Sequence, residues 1–489
     1  MQNELISKKV VLVVPNSRWE NKRPWLMAPQ YALILTAIIK KEFIFHIIDC
    51  NGLNLSEEQC KEHLQHLKPD VVLTSGMSVE YHMHVHAVVS LSKSVNPNVI
   101  TVVGGVYPTV LSDVCLKDKN VDYVFLGHAE GRINNFLKLI LTQNYRELEK
   151  TSGIGIGKLN KINPLKSYIV NEKELVNPDY SCLDITPYLI LDSIDFQFCS
   201  KIPQASILTS RGCPFGCVFC ASKTVSGRGI LFRKASEVLD EIEFLIDRYG
   251  IKKLLILDDS FLSNRKRAIE ILQGFIDRQY NLKYNFLNIA VWHLNSELLE
   301  LIKQSGCFQI NISVETGSQR VMDEIIKKPL KLKIIPGIVK KCKELEIDII
   351  ADFIIGLPGE TWQEIRQTFQ FAEEMDFDLA HFHIATPQPQ TDLYRICKER
   401  NLLPQDFSFT NPKYFGFAQA FLETEEFTPF ELKVLRAFEW DRINFKTPQK
   451  IAKVAQIYNT SIEHLNRHRK ETRLKLGLHC DSAPVKIAD

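Results

Sequence analysis

The sequence predicts an α/β protein in three parts: a doubly wound, flavodoxin-like domain, a partial (β/α)6 barrel of the TIM type and a helical C-terminal region. Short runs rich in Val and Ile, bounded by Gly, Pro, Asn or Asp, alternate with amphipathic stretches of helix length, and this happens in two separate series. Continuous apolar runs are typical of parallel strands buried on both faces, and their alternation with helices is typical of βα units.

The first series covers residues 8–143, within a domain that we place at 1–145. Its apolar runs predict strands at Lys9–Val14, Phe43–Asp49, Val71–Ser75, Val99–Gly104 and Tyr123–Gly127. The stretches between them predict helices near 29–41, 56–67, 80–94, 109–117 and 130–143. Ligands of doubly wound sheets bind beyond the carboxyl ends of the strands, so we expect functional residues directly after each run.

Frequent Gly and Pro in residues 146–200 predict a surface linker with room for one hairpin. The second series, 201–400, predicts strands at Gln204–Thr209, Lys253–Asp258, Tyr284–Ala290, Phe308–Val314, Asp348–Gly356 and His381–Thr386. Its predicted helices lie near 235–249, 264–279, 295–305, 332–346 and 361–375. Six such units predict a barrel with its site at the strand carboxyl ends. Residues 401–489 predict helices, with Thr428 and Thr447 as N-caps.

Composition narrows the class of protein. The chain has 489 residues and a net charge of +2, from 60 Lys and Arg against 58 Asp and Glu. This balance argues against a protein that coats nucleic acid or an acidic membrane. No apolar run approaches the roughly 18–20 residues that cross a bilayer, and the first residues lack a signal-peptide pattern. We therefore expect a cytoplasmic protein whose twelve cysteines are buried hydrophobes, metal ligands or catalytic groups.

Three cysteines cluster directly after the first strand of the second series. The segment Arg211-Gly-Cys213-Pro-Phe-Gly-Cys217-Val-Phe-Cys220 has the spacing CxxxCxxC. Three thiolates can hold a four-iron cluster and leave one iron open, which is what a metal needs in order to act on a substrate. A zinc knuckle would need a fourth ligand nearby, but no Cys or His occurs between residues 221 and 292.

This motif resembles the signature of the radical S-adenosylmethionine (SAM) superfamily. The resemblance implies a 4Fe-4S cluster on Cys213, Cys217 and Cys220, whose open iron chelates the amino and carboxylate groups of SAM. An electron from a donor such as flavodoxin or ferredoxin would cleave SAM through the cluster to methionine and a 5′-deoxyadenosyl radical. That radical would abstract hydrogen from a small-molecule substrate.

The segments that follow the other barrel strands also resemble parts of this family. The resemblance implies five SAM contacts: Phe219, Asp258, Asp259, Glu315 and Gly356. Phe219 and Gly356 would lie beside the adenine, Glu315 at the ribose and the two aspartates at the amino group. Alone, the two aspartates would indicate a solvated turn or a helix cap, Glu315 a surface carboxylate and Gly356 a turn, and only their spacing from the cysteines makes them site candidates.

The order of the domains resembles the cobalamin-dependent branch of the superfamily. Small and polar residues follow the second to fifth strands, and the resemblance implies eight cobalamin contacts: Asn51, Thr74, Ser75, Gly104, Gly105, Pro108, Gly127 and Glu130. The first strand is followed by Pro15-Asn-Ser-Arg-Trp19, without the DxHxxG motif whose His ligates cobalt in many cobalamin enzymes. We therefore expect either a lower cobalt face without a protein ligand or a domain that has lost the cofactor.

The resemblance favours methyl transfer, with methylcobalamin as donor, to an unactivated carbon of a small molecule. A radical SAM oxidative cyclase or rearrangement enzyme would use the same parts. A methylthiotransferase-like enzyme would need a second cluster on three N-terminal cysteines, and Cys50, Cys60 and Cys115 are poorly placed for one. Substrate selectivity is expected near Trp292, His293, His381 and His383.

A cobalamin-sensing, DNA-binding regulator is the alternative from a different class. It would use the basic segment 447–479, which has seven Lys and Arg against two Glu. A basic amphipathic helix is more often a solvated face or a lid, and this alternative leaves the cysteine motif unexplained. Nucleic acid is therefore not an expected partner.

Overall fold

The computed structural model describes residues 7–21, 24–166, 174–190, 200–414 and 419–474. The chain divides into two compact units. The first comprises Met1–Leu191, Pro203–Pro214 and Ala221–Ile251, and the second comprises Asp192–Ile202, Phe215–Cys220 and Lys252–Asp489. Among the described residues, none of the helices is both long and apolar enough to cross a membrane.

The first unit is built on a seven-stranded sheet. Its strands are β1 (Lys9–Val14), β2 (Ile44–Asp49), β3 (Val71–Gly76), β4 (Ile100–Gly105), β5 (Tyr123–Phe125), β6 (Ile154–Ile156) and β7 (Lys161–Asn163). The spatial order is β2-β1-β3-β4-β5-β6-β7, and the first five strands are parallel, which is the flavodoxin-like arrangement. The antiparallel hairpin of β6 and β7 lies inside the predicted linker and extends the sheet.

Helices follow these strands and cover the sheet. They are α1 (Gln30–Ile39), α2 (Glu57–Leu67), α3 (His82–Val95), α4 (Val106–Val110), α5 (Ser112–Cys115), α6 (Ile133–Leu141) and α7 (Tyr145–Leu148). The unit also holds β8 (Gln204–Ile207), β9 (Ser210–Arg211), β10 (Leu231–Phe232), α8 (Ser222–Ser226) and α9 (Ala235–Tyr249). Val11 and Val72 on adjacent strands are fully buried, as expected for a sheet covered on both faces.

The second unit contains five parallel strands that pair in chain order. They are β11 (Lys253–Ile256), β12 (Lys283–Ile289), β13 (Cys307–Glu315), β14 (Asp348–Ile355) and β15 (Leu379–Ile384). The helices between and after them are α10 (Arg265–Asp277), α11 (Ser296–Gln304), α12 (Ile335–Glu344), α13 (Trp362–Met375) and α14 (Asp392–Glu399), with a π-helix at Val321–Ile326. From β8 onward, six strands alternate with helices along the chain, and the predicted fold class is confirmed.

The C-terminal helices α15 (Pro429–Asn444), α16 (Pro448–Ile457) and α17 (Ile462–Leu474) begin where the caps predict. Thr428 and Thr447 accept hydrogen bonds from the N–H groups at the third helical positions. The amide of Asn444 bonds both the N–H and the carbonyl of Ala380 on β15, each at 2.8 Å. Helix α15 thus satisfies backbone groups of the strand at the end of the sheet, which would otherwise present an open edge.

The described part of the basic segment, up to residue 474, makes ion pairs with the rest of the second unit. Three of its cations pair with acidic residues: Lys450 with Asp376, Lys453 with Asp348 and Arg469 with Asp441. These side chains attach the C-terminal helices to the unit.

Candidate cofactor sites

The cysteine motif lies on a loop whose backbone is held at its centre. Val218 donates its N–H to the carbonyl of Ile326 (3.0 Å), and its carbonyl accepts from the N–H of Leu393 (2.9 Å). Its side chain is buried in an apolar cluster against which Cys217 and Phe219 pack. The loop is therefore anchored between the second and third cysteines of the motif.

Exposure separates the motif cysteines from most of the others. Cys213, Cys217 and Cys220 are partly exposed, whereas six described cysteines are buried: Cys50, Cys60, Cys115, Cys307, Cys342 and Cys397. Burial raises the pKa of the Cys115, Cys342 and Cys397 thiols to about 12. Iron–sulfur clusters are bound by thiolates, which burial in apolar surroundings disfavours. The three partly exposed cysteines of the motif therefore suit a cluster better than the buried cysteines do. The N-terminal cysteines that a methylthiotransferase-like second cluster would need all belong to the buried set.

Glu315 ends β13 in a backbone conformation that residues other than glycine avoid. Its φ is +72°, and the strand pairing is irregular between Ser313 and Glu315. The Glu315 carboxylate accepts a hydrogen bond from Lys328 Nζ at 2.6 Å, and the same ammonium donates to the Ser313 carbonyl at 2.7 Å. Lys328 Nζ also lies 5.5 Å from the ring centroid of Trp292. The predicted ribose-binding carboxylate is thus held in place by a buried cation.

Gly356, directly after β14, has a φ of +81°, and a Cβ there would lie 2.6 Å from the Leu432 side chain, so the position requires glycine. Its N–H donates to Glu360 Oε2 at 2.7 Å, and the N–H of Leu357 donates to the same oxygen at 3.0 Å. Glu360 is fully buried, which raises its pKa to about 8. A mostly neutral carboxyl group therefore fixes the turn that was predicted to face the adenine.

The other predicted SAM contacts differ in exposure. Asp258 is 1% exposed, whereas the neighbouring Asp259 is exposed. A buried carboxylate needs compensating partners. Of the two aspartates, Asp258 is therefore the one that belongs to the packed interior of the unit. Phe219 is partly buried at the edge of the apolar cluster around Val218.

A cavity of about 260 Å³ lies at the strand carboxyl ends in the first unit. Six of the eight predicted cobalamin contacts line it: Thr74, Ser75, Gly104, Gly105, Gly127 and Glu130. Gly105 has a φ of +89°, and a Cβ there would lie 2.4 Å from Ser75 Oγ, so glycine is required. A Cβ on Gly104 would lie 3.8 Å from the carbonyl oxygen of Phe125, an ordinary van der Waals contact, so this position has room for a Cβ.

Asn51 and Pro108 do not line this cavity. Asn51 Oδ1 accepts from the N–H (3.0 Å) and the hydroxyl (2.7 Å) of Ser17, and Asn51 Nδ2 donates to the carbonyl of Trp25 (2.7 Å). Asn51 therefore ties down the segment after β1. Pro108 is buried within the short helix α4. Both residues were predicted as contacts because they follow strands at this edge of the sheet. Their side chains, however, point away from the cavity.

Three buried polar atoms of residues that line the cavity have no hydrogen-bond partner within the described part of the chain: Tyr31 OH, Thr74 Oγ1 and His128 Nε2. An unsatisfied buried polar group costs roughly 1–3 kcal/mol, and such groups are rare in native proteins. These atoms offer hydrogen bonds to whatever occupies the cavity, whether ordered water or a ligand. Cobalamin, with amide side chains and a phosphate in its nucleotide tail, fits this set of groups.

Glu130 and Arg211 form a buried ion pair at the cavity wall. Burial opposes the charge on Glu130, but Arg211 outweighs it and lowers the pKa of the carboxyl group. Burial, together with Arg211, also lowers the pKa of His128, so its imidazole is neutral at pH 7. Tyr31, His128, Arg211, Lys328 and Glu360 were not among the predicted contacts. For His128 and Glu360 the signal was available, because each lies inside a segment that follows a predicted strand.

Two family models match the chain. The B12 binding domain matches residues 27–137, and the Radical SAM superfamily matches residues 207–372. The first match covers most of the parallel part of the first sheet, and the second runs from the end of β8 into α13.

Relatives along most of the chain have names that describe methyltransferases. An uncharacterized methyltransferase of Pyrococcus horikoshii is 29% identical over 401 residues, which covers 81% of this chain and 84% of the relative. The cytidylyl-2-hydroxyethylphosphonate methyltransferase of Streptomyces wedmorensis is 26% identical over 434 residues, which covers 81% of this chain and 80% of the relative.

Two solved structures share the fold. TsrM, a radical SAM methyltransferase from Kitasatospora setae solved with cobalamin and a 4Fe-4S cluster, has a TM-score of 0.65 at 17% identity, over 81% of this chain and 75% of its own. OxsB, a cobalamin-dependent SAM radical enzyme solved with aqua-cobalamin, has a TM-score of 0.73 at 16% identity, over 97% of this chain and 73% of its own. With the cysteine loop, the two family matches show a B12-binding domain and a radical SAM domain in one chain, in a fold shared with cobalamin-dependent radical SAM enzymes.

Proposed function

We propose that the protein transfers a methyl group to an unactivated carbon of a small molecule, as a cobalamin-dependent radical SAM methyltransferase. The two family matches imply three cofactors, namely a 4Fe-4S cluster, SAM and cobalamin. The unpaired polar atoms around the cavity of the B12-binding domain are the observation that carries the proposal, since a domain without its cofactor would gain nothing from keeping them. The names of the Pyrococcus and Streptomyces relatives support methyl transfer over other radical reactions.

In this proposal Cys213, Cys217 and Cys220 hold the cluster, while SAM binds against Asp258, Glu315 and Gly356, with Phe219 beside the adenine. When bound, the cluster supplies the electron that cleaves SAM, and cobalamin supplies the methyl group. Such an electron comes from a reductant of the flavodoxin or ferredoxin kind.

The protein's own groups orient and shield these cofactors. Lys328 fixes the Glu315 carboxylate, so its free oxygen is directed before the ribose hydroxyls arrive. Gly356 gives the turn after β14 its positive φ and leaves room for the Leu432 side chain, which sets the shape of the backbone at the adenine end. The apolar cluster around Val218 keeps water away from one side of the cysteine loop.

On the cobalamin side, Tyr31, Thr74 and neutral His128 provide hydrogen bonds, and the glycines after β4 permit close approach of the nucleotide tail. Glu130 is engaged by Arg211, which lies two residues before Cys213, so it shapes the cavity wall. The segment after β1 contains no histidine, so it would offer bound cobalamin no imidazole ligand.

Anaerobic reconstitution with cobalamin and methyl-labelled SAM tests the proposal. We expect label on the corrinoid together with S-adenosylhomocysteine, and reductant-dependent formation of 5′-deoxyadenosine. Cys217→Ala should abolish the absorbance of the cluster and the 5′-deoxyadenosine. The matched control is Cys182→Ala, a partly exposed cysteine outside the motif, which should change neither. Normal 5′-deoxyadenosine from Cys217→Ala would contradict the assignment.

An oxidative cyclase is the second candidate, because the anaerobic magnesium-protoporphyrin IX monomethyl ester cyclase of Cereibacter sphaeroides is 25% identical over 380 residues. This match covers 76% of the chain but 60% of the relative. The same labelled experiment distinguishes the two functions: a cyclase would yield 5′-deoxyadenosine without labelled corrinoid or S-adenosylhomocysteine.

A further inference from the structure

Three side chains on two neighbouring strands form a compact set of metal-ligating groups that neither the cluster nor SAM uses in the function proposed above. Asp352 lies on β14, and His381 and His383 lie on β15. One ligand atom from each residue lies within 4.8 Å of the other two. In the described part of the chain, no other three His, Cys, Asp or Glu side chains meet this condition.

The strand register explains why these side chains meet. Asp352 pairs directly with His381, and His383 follows two residues later on the same face of the sheet. Phe353 and Phe382 point to the opposite face, where their rings stack at 5.3 Å and Phe382 packs on Phe369 of α13. The helices of a βα barrel lie outside the sheet, and Phe382 packs against one of them. The side chains of Asp352, His381 and His383 therefore face the interior of the barrel.

The spacing of the three ligand atoms suits a single metal ion. Asp352 Oδ1 lies 3.0 Å from His381 Nδ1 and 3.4 Å from His383 Nε2. Two ligand atoms bound tetrahedrally to one zinc ion at 2.0–2.1 Å are separated by roughly 3.3 Å. The same geometry lets each imidazole donate an N–H to the carboxylate. A cation would bind each ring in its other tautomer, with the proton on His381 Nε2 and on His383 Nδ1.

The contacts around the three side chains also favour a cation. In the described residues, neither Lys nor Arg forms an ion pair with Asp352. The hydroxyl of Tyr458, at the end of α16, lies 2.8 Å from His381 Nε2. Metal-ligating histidines commonly use their second ring nitrogen for such a bond, which fixes the orientation of the ring.

We propose that Asp352, His381 and His383 form a mononuclear site for a divalent cation of the zinc class, separate from the iron–sulfur cluster. Two imidazoles and one carboxylate leave the fourth tetrahedral position for water or for an oxygen atom of a bound ligand. The site faces the barrel interior, where an ion with an open position can bind an oxygen-bearing group of a small molecule.

Zinc binding to the anaerobically reconstituted holoenzyme tests this proposal, because the filled cluster occupies the motif cysteines. After dialysis we expect about one zinc per chain in the wild type. Asp352→Asn and His383→Gln should each lower zinc to background while iron stays unchanged. Tyr458→Phe keeps all three ligands and should weaken zinc binding by about 10-fold. His63→Gln, at an exposed histidine on α2, is the matched control and should retain zinc.

Two results would overturn the proposal: a wild type that retains no zinc, or zinc that is unchanged in both Asp352→Asn and His383→Gln. The triple variant Cys213→Ala/Cys217→Ala/Cys220→Ala lacks the cluster and should still bind one zinc. Loss of zinc from that variant, if its melting temperature matches that of the cluster-free wild type, would place the ion at the cysteines instead. This test does not depend on methyl transfer, so it can fail while the proposed function stands.

Discussion

The ligand-facing ends of the two sheets differ in how their polar groups are paired. Around the cavity of the first unit, three buried polar atoms lack partners among the described residues. In the second unit, two acidic groups after strands are held by the protein itself: Glu315 by Lys328, and Glu360 Oε2 by the N–H of Gly356. Buried polar atoms without a partner among the described residues also occur there, at Ser260 Oγ, His293 Nε2 and Glu360 Oε1. The two ends therefore differ in the second unit's internally fixed carboxyl groups, which are oriented before a ligand arrives.

The largest effect is expected from closing the cavity of the first unit. Gly104→Val places a Cβ 3.8 Å from its nearest contact, the carbonyl oxygen of Phe125, so we expect the fold to tolerate the side chain while it fills the cofactor's space. We expect bound corrinoid to fall to background while the iron content is unchanged. Gly337→Ala, at another glycine with open space around its Cβ, should bind corrinoid normally. Full corrinoid binding by Gly104→Val would show that cobalamin does not use this cavity.

A large loss of stability is expected from breaking the buried ion pair of the second unit. Lys328→Met leaves the Glu315 carboxylate buried without its cation, which should cost about 3–5 kcal/mol of unfolding free energy. The double variant Glu315→Gln/Lys328→Met should recover part of this loss. Lys331→Met removes an exposed pair with Asp323 and should cost less than about 1 kcal/mol. Equal losses from the two single variants in denaturant unfolding would contradict a preorganised pair.

Glu360 should make stability depend on pH in a defined direction. Because its pKa is raised to about 8, its contribution to stability is largest below about pH 4.5 and is lost as the pH rises through 8. Glu360→Gln keeps an acceptor for the two N–H groups and removes the titration. Its unfolding free energy should therefore fall less steeply between pH 6 and 9, by up to roughly 1.4 kcal/mol per pH unit.

The matched control for this titration is the exposed glutamate variant Glu344→Gln, which should follow the wild-type curve. If Glu360→Gln also followed that curve in denaturant unfolding at each pH, the buried carboxyl group would not be neutral in the native protein.

The smallest effect on stability is expected for the unpaired hydroxyl of the first unit. Thr74→Val removes no hydrogen bond within the described residues, so unfolding free energy of the cofactor-free protein should change by less than about 1 kcal/mol. Cobalamin affinity should fall by roughly 2- to 12-fold, the value of one hydrogen bond. Thr101→Val is the contrast on the same sheet. The Thr101 hydroxyl bonds the Asn120 carbonyl and the Asp122 N–H, so its loss should cost about 1–3 kcal/mol.

Most elements of the fold could be predicted because their signals are local. The run Lys9–Val14 and the helix 235–249 have the predicted boundaries, since turn residues and a change of apolar period delimit them. The caps at Thr428 and Thr447 were also readable from neighbouring residues. The hairpin of β6 and β7 could not be assigned to the sheet, because three-residue strands leave no period to detect.

The pairings inside the sites depend on contacts that are distant in sequence. Tyr458 meets His381 across 77 residues, through the docking of α16. Asp352 meets the two histidines only through the register of two strands. Side-chain direction likewise decides that Thr74 lines the cavity while Asn51 does not. Sequence reasoning located the strand ends that carry the sites, but not which groups on them pair with each other.

Iron, sulfide and corrinoid in anaerobically purified protein, expressed with cobalamin supplied, provide the most direct test. Wild type should contain about four iron, about four sulfide and one corrinoid per chain. Cys217→Ala should lose the iron and sulfide and keep the corrinoid, and Gly104→Val should do the reverse. A wild type without iron and sulfide, or a result in which neither variant separates the two cofactors, would contradict the assignment of two separate cofactor sites.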